Sequence, residues 1–113
     1  MKTDRELLEL AAKAAGINAR WYDTTDCMMR IGSGSGLARW DPLTDDGDAL
    51  RLAVKLGISI ECLQTDGVTT AVQANIGQRH WNCGNLEAGC SGDSNAAARL
   101  VIVQVAADIG ASL

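Results

Sequence analysis

Phenylalanine is absent from this 113-residue chain, and tyrosine and histidine each occur once. Aromatic contacts therefore fall to three tryptophans, and imidazole chemistry to the single His80. No basic run is present: net charge is −4 and the pI is near 4.7. The field that draws in a polymer of phosphates is missing, which argues against sequence-general binding of DNA or RNA. A small anion in a local pocket stays compatible, because a few arginines override the global field at short range. No apolar run approaches the roughly 20 residues that span a bilayer. The opening MKTDRELLELAAKAAG sets a charged helix where a secretory signal needs an apolar core. A cytosolic protein with no membrane partner is the expectation, its four cysteines reduced.

Hydrophobic residues make up 47% and charged residues 21%, ordinary values for a globular protein, and the length suits a single domain over 1–113. Thr3 and Glu6 form a capping box and Gly16 a terminator, so residues 4–15 read as an amphipathic helix. Ile17, Ala19 and Trp21 alternate with polar residues, as in a strand with one buried face. CMMRI at 27–31 reads as a strand joined through GSGSG at 32–36 to LARW at 37–40. Pro42 ends that segment. Thr44 then caps a second helix with Asp45, Asp46 and Asp48 in its first turn, a buried stripe of Leu50, Ala53, Val54 and Leu56, and a stop at Gly57. GISIECL and VTTAVQAN form a hairpin around QTDG. Residues 76–93 show no clear period and read as a long loop. Asp93 or Ser94 caps a third helix that Gly110 ends. The order α-β-β-β-α-β-β-α predicts an α+β domain, an antiparallel or mixed small sheet covered by helices in a sandwich.

The block RWDPLTDDGDALRLAVKLGI at 39–58 resembles the central signature of the phage ABA sandwich family of small bacteriophage proteins. LLELAAKAAGI and AAARLVIVQVAADIG are similar to that family's terminal segments, whereas residues 22–36 and 75–93 depart from it. The resemblance implies a phage or prophage origin, an α/β sandwich and a role in the cytoplasm of the infected bacterium. It implies no chemistry. The Pro42 turn and the aspartate caps are devices of folding in their own right.

Several constellations invite chemistry. Asp41, Asp45, Asp46 and Asp48 run directly into a helix with no closing glutamate of a calcium loop, and read as helix caps. His80, Cys83 and Cys90 provide three candidate zinc ligands without a CxxC pair, so no metal is expected. The same His80 and Cys83 lie three apart in a loop, a weak basis for nucleophilic catalysis. GSGSG lacks the lysine and following helix of a P-loop, though its N–H groups and Ser33 could wrap an anion.

Each tryptophan follows a cationic or titratable residue, in RWYD at 20–23, RWD at 39–41 and RHW at 79–81. Strand alternation assigns Trp21 to the core and Arg20 outward. Trp40, before Pro42, reads as a rim residue, and Trp81 lies in the long loop, the kind of segment that carries function. Stacking on an indole with phosphate pairing by arginine suits a nucleotide-derived anion, while Trp and Arg are equally frequent at subunit interfaces. The ligand-binding set is thus Ser33, Arg39, Trp40, Arg79, His80, Trp81, Asn82 and Asn85. The expected function is a non-catalytic, homo-oligomeric phage protein, without cofactor, that sequesters a cyclic nucleotide or cyclic ADP-ribose signal of bacterial defence. The alternatives are a module that inhibits a host defence protein, or a small enzyme acting on such a nucleotide through His80.

Overall fold

A computed structural model describes residues 3–31, 38–65, 67–76, 79–83 and 93–113. Helix α1 (Asp4–Ala15) starts at Thr3, whose hydroxyl accepts from the N–H of Glu6 and donates to its carboxylate. It stops at Gly16, whose φ of 69° is the left-handed value glycine adopts without a Cβ clash. Strands β1 (Ala19–Tyr22), β2 (Cys27–Arg30) and β3 (Ala38–Arg39) form one antiparallel sheet in that order. Helix α2 (Asp46–Leu56) follows, and Gly57 ends it in the left-handed conformation. Strands β4 (Ser59–Thr65), β5 (Val68–Ile76) and β6 (Arg79–Cys83) form a second antiparallel sheet, and α3 (Ser94–Ala111) completes the order.

The α+β class and the antiparallel pairing agree with the sequence. The sheet is divided in two, however, and β6 occupies the start of the expected loop. Helix α3 is the centre of the core, buried on nearly every side through Ala97, Val101, Ile102, Val103, Val105, Ala106, Ala107 and Gly110. An all-round apolar helix belongs inside. It packs against α1, α2, β5 and β6, while α1 reaches β1 and β2 on its other side. The helices thus lie between the two sheets.

Three local expectations are corrected. The cap of α2 is Asp45, whose carboxylate accepts from the N–H of Asp48 at 2.7 Å, and Thr44 belongs to the preceding turn. The buried side of α2 is Ala49, Leu52 and Ala53, whereas Leu50 and Val54 are 62% and 74% exposed. Helix α3 runs through Gly110 to Ala111. Gly110 is not a terminator but a contact, since a Cβ there would strike the backbone carbonyl of Leu10 in α1.

Arg99, which carried no role in the sequence reading, fastens α3 to the start of α2. Its Nε donates to the Leu43 carbonyl at 2.9 Å and its Nη1 to Asp46 at 2.5 Å, with a side chain 17% exposed. Arg99→Leu is expected to lower stability by about 1–3 kcal/mol, because the part-buried carbonyl loses its donor. Urea unfolding measures this, and a loss below about 0.5 kcal/mol, the ordinary scatter of surface substitutions, would show the link to be idle.

Candidate functional site

The segment at 39–58 builds a cavity of about 360 Å³ between β3 and α2, lined by Arg39, Asp41, Thr44, Asp45, Asp48 and Arg51. Its aspartates are occupied by folding. The Asp41 carbonyl accepts from the N–H groups of Thr44 and Asp45, closing the turn through Pro42. The Asp41 carboxylate accepts from the N–H of Leu43, and that of Asp48 from the N–H of Asp41. Arg39 pairs with Asp41 at 3.3 Å, and Arg51 with Asp48 at 2.7 Å and Asp45 at 3.7 Å. The hydrogen bond and charge of Asp48 raise the Arg51 pKa further above its ordinary value, with a smaller push from Asp45 against the loss of hydration. Three carboxylates against two guanidiniums leave the cavity net negative. It is a poor seat for phosphate, and Arg39, expected to pair with one, already has a carboxylate.

Trp40 is not a rim residue. It is 3% exposed within the core, and its N–H donates to the Met28 carbonyl, continuing the β2–β3 pairing by one residue. A ring so enclosed has no free face for a base, so the stacking role expected of Trp40 is withdrawn. Trp21, expected in the core, is half-buried and packs against it, with the Arg5 guanidinium 5.7 Å from its ring centroid. Arg5 and Trp21 are far apart in sequence, and the pairing arises from α1 lying over β1.

The second sheet reorganises the remaining residues. Register sets Ser59, Asn75 and His80 in one cross-strand row and Glu61, Gln73 and Asn82 in the next. The intervening rows are Ile60, Ala74 and Trp81, then Cys62, Val72 and Cys83. Residues paired across antiparallel strands share a face, and successive residues alternate. Val72 and Ala74 are buried, so their rows define the helix-covered face and the two polar rows the open one. Trp81 therefore occupies a covered-face row, with Arg79 of the same parity, whereas His80 and Asn82 take open-face positions. His80 and Cys83 thus take rows of opposite parity in β6. Cys90, Ser33 and Asn85 lie outside the described residues.

The two open-face rows therefore bring two expected residues, His80 and Asn82, beside Gln73, Asn75, Glu61 and Ser59, which sequence reasoning passed over. Their signal was the alternation of VQAN with RHWN, legible once 79–83 is taken as a strand. Compared with protein-family models, with curated proteins and with solved structures, the chain matches none.

Proposed function

We propose that this chain is a non-catalytic phage protein that sequesters a small nucleotide-derived signal, with the open face of the second sheet as its platform. The observation that carries the reading is the pair of polar rows, Ser59–Asn75–His80 and Glu61–Gln73–Asn82. Amide side chains offer both donors and acceptors, which suits the mixed edge of a nucleobase. Imidazole is one of the rings on which bases stack. Tight binding without turnover is what sequestration requires. A net charge of −4 opposes long polyanions more than a compact ligand with one or two phosphates. The phage origin rests on the resemblance of residues 39–58.

Thermal unfolding against cyclic nucleotides and cyclic ADP-ribose derivatives tests the reading. A ligand at a thousand times its dissociation constant adds about 4 kcal/mol to stability. His80→Ala and Asn82→Ala are each expected to weaken binding about tenfold or more, a loss of about 1.4 kcal/mol. The ligand should be recovered intact. Consumption of the compound would make the protein an enzyme, and wild-type affinity in both variants would move the site elsewhere. Silence across the panel would remove the nucleotide.

A further inference from the structure

We propose, resting on the ligand platform described above, that the base it receives is guanine, held by Glu61 and Gln73. The two residues are cross-strand partners in the second polar row of the open face, and paired side chains on antiparallel strands stand about 5 Å apart at Cβ. Glu61 is exposed. Its carboxylate joins none of the ion pairs or side-chain hydrogen bonds among the described residues. A carboxylate accepts hydrogen bonds and donates none. It also repels phosphate, so a ligand on this row meets it with donors and carries its phosphates elsewhere.

That requirement separates the bases. The pairing edges of adenine and cytosine set an amino donor beside a ring-nitrogen acceptor, and uracil has one N–H between two carbonyls. Each turns a lone pair toward the carboxylate. Guanine has two adjacent donors, N1–H and the N2 amine, spaced to meet both oxygens of one carboxylate, and its O6 comes next along the edge. The Gln73 amide supplies an N–H donor for that oxygen. Acceptor, acceptor and donor on the protein thus face donor, donor and acceptor on the base, and the charge of Glu61 strengthens its two bonds. The next open-face row is apolar: Leu63, 41% exposed, pairs with Ala71 just before the register shifts. Residues two apart on a strand are about 7 Å apart, so a purine whose edge meets Glu61 can lay its ring beside Leu63.

Calorimetric titration of the full chain with cyclic GMP, cyclic IMP, cyclic AMP and cyclic ADP-ribose tests this. Cyclic GMP is expected to bind about tenfold or more tighter than cyclic AMP. Cyclic IMP, which keeps N1–H and O6 but lacks the N2 amine, should fall between them. Glu61→Gln, a nearly isosteric change at an exposed position, should weaken cyclic GMP about tenfold and leave cyclic AMP unchanged, with the ligand-free Tm also unchanged. Equal affinity for cyclic GMP and cyclic AMP, or a guanine preference that survives Glu61→Gln, overturns the proposal. Binding of cyclic AMP or cyclic ADP-ribose alone, lost in His80→Ala and Asn82→Ala, would overturn guanine and keep the platform. Silence from all four compounds would overturn both.

Discussion

Trp40→Ala is expected to remove about 3–5 kcal/mol of folding stability, the usual range when a large aromatic leaves a packed core. The ring is buried with Met28 and Leu52 in one core cluster, and the residue follows the last pair of β3. Its loss opens a void that relaxation fills only in part, at the joint between the first sheet and α2. The folded variant should also lose blue-shifted emission, since a buried indole is shielded from water. Denaturant titration with fluorescence reads both quantities. The opposite result, a loss below about 1 kcal/mol with ligand affinity abolished, would return Trp40 to a binding site.

Gly110→Ala is the second large effect, and its sign is the informative part. In an isolated helix the exchange would stabilise by about 1 kcal/mol, because alanine is the better helix former. Here the new Cβ meets the Leu10 backbone, whose carbonyl carbon would lie 2.8 Å away. Overpacking of a close-packed interior typically costs 1–3 kcal/mol and occasionally more. Backbone cannot turn aside as a side chain does, so about 3 kcal/mol is expected. Thermal unfolding should fall by roughly 10 °C for a chain of this size. An unchanged or raised midpoint would mean that α1 and α3 are further apart at this crossing.

The same two residues show where sequence reasoning reaches its limit. The first helix was legible to the residue, because its start and stop are set by groups within three positions of each other: Thr3 with Glu6, and Gly16 with its own φ. The β4–β5 hairpin was legible for the same reason. Gly110 looked like a stop because glycine often is one, and only the proximity of Leu10, a hundred residues away, makes it a helix contact. Leu50 and Val54 matched a buried stripe as well as Leu52 and Ala53 did. Which side of α2 turns inward is decided by α1 and α3, not by α2. Thr44 and Asp45 are both competent caps, and the choice between them depends on the Pro42 turn anchored by Asp41.

The candidate site was half legible for a related reason. Its residue types were visible in RHWN, but their faces were not until β5 supplied a partner strand. Taken as a loop, those residues seemed free to converge on one ligand. Taken as β6, alternation sends Trp81 and Asn82 to opposite faces and recruits Gln73 and Asn75 from the neighbouring strand. Arg99 was illegible for a different reason, because its partners are a carbonyl and a carboxylate more than fifty positions away.

The placement of α3 has a consequence for the order of events during synthesis. Helices α1 and α2 and strands β5 and β6 pack on α3, and β1 and β2 reach it through α1, yet the ribosome makes α3 after all of them. The two sheets and first two helices leave the exit tunnel before the surface that will bury them exists. Ala11, Leu52, Val72 and Ala74 are therefore exposed together until residues 94–111 have been made and have left the tunnel. A nascent chain in that interval is a set of amphipathic pieces without a common centre. Folding of these elements must wait for α3, and any factor that shields apolar segments has its substrate in that interval.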